Sequence, residues 1–260
     1  MAVYEDRPGE ANSNTVQKTI NILEYLSTRS KGATLSAIAK TLGLAKTTAF
    51  DILKTLLLND FVQYVNPGKK LYCVGARAFA IGSAYTESSL LFRVVRPYLI
   101  LLADKYEKTT FLSKRHYSHA ICVYKYISTH AKSPTENIGV QKMLHSTATG
   151  KCYLAFDSEA FHYIDTIKLP RITERTITDR DKLKEHIEEL RDLGYSWEHG
   201  ESHLQYACIA APIFMRGVMV GTISMVGWYN EGEDIAAQGN EVAQLAKLVT
   251  AQLEQSEAQT

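Results

Sequence analysis

Apolar positions recur at helical spacing soon after the start of the chain and change period several times along it. Val16, Ile20, Leu23 and Leu26 fall on one helical face, which predicts a first helix from about Thr15 to Thr28, ahead of the Ser30-Lys31-Gly32 turn. Thr34 then opens a short helix containing Leu35, Ile38, Ala39 and Leu42, and Gly43 stops it. After Leu44 and Ala45 the spacing resumes from Lys46 to Leu58, with Ala49, Ile52, Leu53, Leu56 and Leu57 inward. Two short helices joined by a tight glycine-containing turn make a helix-turn-helix pattern. Phe61 to Val65 and Leu71 to Val74 read as strands around Asn66-Pro67-Gly68-Lys69-Lys70, so a hairpin, or wing, follows directly.

The later pattern is mixed. Gly75 to Glu87 reads as a linker helix and Leu90 to Tyr106 as a longer helix with Pro97 inside it or at its boundary. Thr110 to Lys114 and Ala120 to Tyr124 read as strands, Thr147 to Phe156 and Asp179 to Leu193 as helices. Ala207 to Phe214 and Val218 to Val226 read as paired strands turning near Arg216-Gly217, and Asp234 to Glu254 as a final helix. Strands and helices segregated in this way predict an α+β sensor-like domain. The expected organisation is a disordered leader over 1–14, a winged helix-turn-helix over 15–75, a linker helix over 76–89 and an effector-binding domain over 90–260.

Composition narrows the class. With 260 residues, 45% hydrophobic and 22% charged, the chain has apolar content for real cores. Its longest apolar stretches are far below the roughly 18 residues of a membrane span. The first fourteen residues lack the apolar core of a secretory signal, so a cytoplasmic protein with no membrane partner is expected. Cys73, Cys122, Cys152 and Cys208 stand singly, which argues against a disulfide framework or a zinc knuckle. The net charge of +1 conceals a division: from Thr15 to Arg77 nine basic residues face three acidic ones, +6, and the remainder carries −5. A compact basic segment joined to a larger acidic one is the footprint of a small nucleic-acid-binding module.

In such a module the N-terminal residues of the second helix reach base edges. Those residues are Ala45, Lys46, Thr47, Thr48, Phe50 and Asp51, with Lys54 a turn further on. Lysine donates to guanine, threonine contacts base, methyl or phosphate, and aspartate accepts from a base amino group or orients a basic neighbour. Lys69 and Lys70 at the wing tip suit a phosphate backbone or the minor groove.

Taken whole, the sequence after Asn14 resembles the IclR-type bacterial transcriptional regulators. The resemblance runs through Leu35-Ser36-Ala37-Ile38-Ala39-Lys40, Gly43-Leu44-Ala45-Lys46-Thr47-Thr48 and Tyr72-Cys73-Val74-Gly75. It continues through Leu144-His145-Ser146-Thr147-Ala148-Thr149-Gly150-Lys151, Gly194-Tyr195, Glu201 and Cys208-Ile209-Ala210-Ala211-Pro212. It implies a GAF-like effector domain that binds a small organic acid, contact of Ser36 and the second-helix residues with double-stranded operator DNA, and dimers paired through the DNA-binding domains that can assemble into tetramers. Matching its second-domain motifs places effector contacts at Gly150, Glu198, Cys208 and Ser224, to which the residues themselves add Thr149, beside Gly150, and Val226, on the face of Ser224. The residues add their own reason: a helix capped by Ser146 or Thr147 presents backbone amides around Thr149 and Gly150 to an anion, with Gly150 allowing close approach. Alternation in Gly221 to Val226 puts Thr222, Ser224 and Val226 on one face.

Departures from the family pattern shape the expectation. Met143 stands where a proline commonly precedes Leu-His, Gln205-Tyr206 replaces Gly-Val, and Val226 takes a place that can be serine; the pocket is thus expected to be bulkier and more apolar, suiting an effector with an aromatic or alkyl portion. Asp51 occupies a position often held by arginine. Repression is the family's commoner habit.

The alternatives are a metal-dependent enzyme and a protein-interaction adaptor using the winged helix. His199-x-x-x-His203 with Glu198 and Glu201 imitates a metal site only on a helix, and Gly194, Gly200 and the strand at Ala207 argue against one. There is no G-x-S-x-G, P-loop or G-x-G-x-x-G, so no catalytic residue, metal or cofactor is expected. An adaptor would not explain the two lysines at the wing tip.

Overall fold

A computed structural model of the chain describes residues 13–131 and 137–257. The chain divides into two compact units, one up to Ser89 and one from Leu90 onward. Of the expected leader, residues 1–12 lie outside the described residues. Ser13 and Asn14 belong to the first helix instead, because the Ser13 hydroxyl accepts from the Val16 amide and makes Ser13 the N-cap of α1 (Asn14–Ser27).

In the first unit α2 (Leu35–Thr41) is capped by Thr34, whose hydroxyl accepts from the Ala37 amide at 3.2 Å. Gly43, at φ +62°, takes the left-handed turn that a side chain would disfavour, and α3 (Lys46–Leu58) follows after two residues. Ile22, Leu26, Ile38, Ile52, Leu53 and Leu56 form the core on which the three helices meet. The wing is β1 (Val62–Asn66) paired antiparallel with β2 (Leu71–Val74), and Ala33 adds a bridge to Tyr72. Helix α4 (Ala76–Ser88) ends this unit without a single buried side chain; Phe79, Ile81 and Tyr85 are all exposed.

The second unit is built on one six-stranded antiparallel sheet in the order β5-β4-β3-β8-β7-β6. These strands are β3 (Thr109–His116), β4 (His119–Ile127), β5 (Gln141–Met143), β6 (Ser196–His199), β7 (Tyr206–Met215) and β8 (Val218–Trp228). Alternation along the strands divides two cores. Leu112, Ile209, Ala211, Ile223 and Met225 pack against α5 (Leu90–Tyr106) and α9 (Ile235–Glu257). Beyond the opposite face, Tyr153 and Leu154 of α6 (Ala148–Phe156) share a core with α7 (Ser158–Phe161) and with Leu183, Ile187 and Leu190 of α8 (Arg180–Leu193). Pro97 lies within α5 rather than at its end. Pro212 is tolerated in β7 because β6 pairs only with Ala207 to Ala210, which leaves β7 an edge beyond that point.

Candidate functional site

The DNA-reading candidates sit on the outer side of α3. Ala49, Ile52, Leu53 and Leu56 bury one face of the helix, and Lys46, Thr47, Phe50, Asp51 and Lys54 are exposed, with Thr48 half-buried at the margin. Ser36, on α2, is also exposed. At the wing tip the Asn66 side chain accepts from the Lys69 amide at 2.9 Å, and the Lys70 amide donates to the Pro67 carbonyl at 3.2 Å, so the turn holds both lysines outward. The wing is stiffened by a Tyr64–Tyr72 ring pair with centroids 4.9 Å apart, and burial pushes the Tyr72 hydroxyl up to about 12.

The second unit holds a cavity of about 50 Å³ between the sheet and the start of α6. Its apolar floor is Phe111 of β3, Cys122 of β4 and Val226 of β8, with Tyr206 and Cys208 of β7 packed against them. Polar residues line it from the sheet (Ser113, Lys142 and Ser224), from the start of α6 (Thr147 and Thr149) and from the loop after β6 (Ser202). Strand register brings these together: Phe111 lies opposite Ser224, Ser113 opposite Cys122, and Cys208 opposite Val226.

Four of the six expected effector residues, Thr149, Cys208, Ser224 and Val226, line this cavity. Gly150 and Glu198 do not. The amide of Gly150 is already engaged, donating to the Thr147 hydroxyl at 3.0 Å. Its missing side chain serves the fold, since a Cβ there would stand 2.4 Å from the Leu144 backbone. The expectation of a ligand approaching closely over Gly150 is therefore corrected: the helix packs that face against Leu144, and Thr147 rather than Ser146 is the cap. Among the described residues the amides of Ala148 and Thr149 are left as the unpaired donors of α6, and both residues line the cavity.

Glu198 is turned into the protein, where it is almost wholly buried. Its carboxylate accepts from the Glu201 amide at 2.8 Å and the Ser202 hydroxyl at 2.7 Å, so it shapes the loop that presents Ser202 to the cavity. Burial pushes this carboxyl above the usual range, and the Ser202 hydrogen bond opposes that. The same loop is held from two other sides. Lys151, fully buried, is paired with the Glu201 carboxylate, and the hydroxyls of Thr173 and Thr176 donate to the carbonyls of Gly200 and Glu201 at 2.6 and 2.8 Å. His145 Nε2 meets the Pro170 carbonyl at 3.0 Å, and burial holds that imidazole below its ordinary value.

The sequence reading does not single out Phe111, Ser113, Cys122, Lys142, Ser202 or Met225, which also line the cavity. The period-2 pattern of β3 puts Phe111 and Ser113 on one face, but only register shows that this face meets Ser224. The imitation of a metal site dissolves: His199 ends β6, His203 lies in the following turn, and no group of three or more His, Cys, Asp or Glu side chains among the described residues is placed to hold a metal.

Comparison with known proteins assigns both units. Residues 15–66 match the IclR helix-turn-helix domain, and residues 83–251 match the C-terminal domain of the bacterial transcriptional regulator IclR. The chain belongs to the IclR family. An HTH-type transcriptional regulator of Haemophilus influenzae is 31% identical over 220 residues, covering 82% of each chain. The transcriptional repressor IclR of Escherichia coli is 27% identical over 211 residues, 80% of this chain and 77% of that one. An IclR homologue of Microbacterium hydrocarbonoxydans, solved in complex with 4-hydroxybenzoate, superposes with a TM-score of 0.76 at 18% identity over 92% of this chain and 99% of that chain. IclR proteins are DNA-binding transcriptional regulators and not enzymes, and their C-terminal domain binds small-molecule effectors; no helix among the described residues is long and apolar enough to cross a membrane.

Proposed function

We propose that the protein is a repressor whose grip on a partly palindromic double-stranded operator is set by a small organic carboxylate with an aromatic or alkyl portion. The observation that carries the effector reading is the division of the cavity: an apolar floor of Phe111, Cys122 and Val226 meets a polar side made by Lys142, Ser202 and the start of α6 at Ala148 and Thr149. The first suits a ring or alkyl chain, and the second, at the positive end of α6, suits a carboxylate without any arginine. The 4-hydroxybenzoate held by the Microbacterium homologue has this combination of ring and carboxylate. Thr149, Cys208, Ser224 and Val226 are the contacts in this reading; Gly150 and Glu198 act through the helix start and the Ser202 loop.

Size supplies the lever. A cavity that accepts benzene is about 150 Å³, well above the 50 Å³ present here, so a ring-bearing acid enters only by displacing a wall. The loop carrying Ser202, which ends where Tyr206 opens β7, is a wall without regular structure. A ligand that binds only the displaced arrangement shifts the balance between DNA-competent and DNA-incompetent states, and couplings of this kind are commonly about 1–3 kcal/mol.

On the DNA, Lys46, Thr47, Thr48, Phe50, Asp51 and Lys54 enter the major groove, Ser36 meets the backbone beside them, and Lys69 and Lys70 grip the flank. Two copies supply the two half-sites, and α4, with its exposed Phe79, Ile81 and Tyr85, is the element for pairing. The test is DNA affinity of the full chain with and without benzoate, 4-hydroxybenzoate and short alkyl carboxylates. A fall in affinity with one of them, abolished by filling the cavity with Val226→Trp, is expected. An effect that survives Val226→Trp overturns the site.

A further inference from the structure

In the first two turns of α3 the exposed face contains one side chain that can neither donate nor accept a hydrogen bond. Phe50 is 47% exposed although its neighbours Ala49, Ile52 and Leu53 are buried in the core of the unit. At 100° per residue it lies beside Thr47, Asp51 and Lys54, within the first two turns that a recognition helix offers to base edges. The helix carries no arginine, so guanine contacts fall to its two lysines, Lys46 and Lys54. Asp51 repels the acceptor edges of guanine and thymine and tolerates only amino-bearing bases.

In the major groove every base edge is polar except for one group, the C5-methyl of thymine. An aromatic ring on the reading face therefore has a single base partner that returns the apolar area it exposes. We propose that Phe50 reads a thymine methyl group, so that each half of the operator carries an obligatory A·T pair under the N-terminal half of α3. The inference rests on the DNA-binding reading above and adds to it the identity of one base and the residue that selects it.

The experiment starts with selection of bound sequences from a random duplex library by the full chain. Each thymine of the selected half-site is then replaced by deoxyuridine, which deletes the methyl group and leaves every hydrogen-bonding atom in place. Burial of one methyl group corresponds to a loss of about three- to fivefold in affinity. One thymine should show that loss with the wild-type chain and none with Phe50→Ala, an exposed-site change that leaves the core intact. If no uridine substitution weakens binding, or if Phe50→Ala remains as sensitive to it as the wild type, the thymine assignment is wrong although DNA recognition stands. If selection yields no preferred sequence at all, the DNA-binding reading fails and the inference fails with it.

Discussion

Lys151 and Glu201 form a pair of opposite charges inside the second unit, and separating them should be among the costliest single changes in the protein. The Lys151 side chain has no exposed surface and that of Glu201 retains 10%. Burial alone pulls the Lys151 ammonium below its usual value, and the Glu201 carboxylate works against that pull. Replacing the lysine by methionine preserves most of the packing and leaves Glu201 buried without a counter-charge, for which about 3–5 kcal/mol is typical. For a unit of this size that is a fall in melting temperature on the order of 10 °C. Lys151→Met/Glu201→Leu removes both charges, and buried pairs replaced together by apolar groups are commonly close to neutral, so the double variant should recover most of the loss. Thermal and urea unfolding of the wild type, the single and the double variant give the comparison. A loss below about 1 kcal/mol for Lys151→Met, or a double variant less stable than the single, would refute the view that this pair is desolvated and holds the cavity loop.

Gly150→Ala should destabilise the second unit and lower its yield, because the added Cβ meets the Leu144 backbone at 2.4 Å and neither α6 nor the Leu144 segment can yield cheaply; unchanged urea unfolding would contradict this. Lys69→Ala and Lys70→Ala should each weaken binding to all duplexes and reduce the slope of log affinity against log salt by about 0.9, measured by anisotropy across a salt series. Acidification should cost stability through His145 and His186, both held low by burial. Above about pH 6.5 both states leave these rings neutral; below it the unfolded chain takes up protons that the folded one resists, so stability falls with pH. Glu198, pushed up by burial, takes its proton in the folded state first and offsets part of that loss. Urea unfolding at pH 7.5 and 5.5 should show the decline, and His145→Gln should flatten it.

The elements legible in the sequence are those with a long period and a defined stop. Helix α3 is read at its observed bounds because the buried positions from Ala49 to Leu56 repeat over about two turns, and α2 because Thr34 and Gly43 mark both ends. Strands β5 and β6, three and four residues long, and helix α7 carry too few positions to show a period, and all were missed. Gly150 stands out in the sequence, yet a glycine needed for close approach to Leu144 and one needed for close approach to a ligand look alike in one dimension. The cavity was half legible. Ser224 and Val226 follow from alternation on one strand, whereas Phe111, Cys122 and Ser202 join them only through the register of four strands and the loop that Glu198 and Lys151 hold.

Everything proposed for the protein depends on recognition of a particular DNA sequence by α3 and the wing. The direct measurement is fluorescence-anisotropy titration of the full chain against the DNA upstream of its own gene, with random duplex as competitor. Binding should survive a large excess of competitor and be lost with Lys46→Ala. Affinity no higher than for random DNA, in the absence of effector and in the presence of each carboxylate tested, would contradict it.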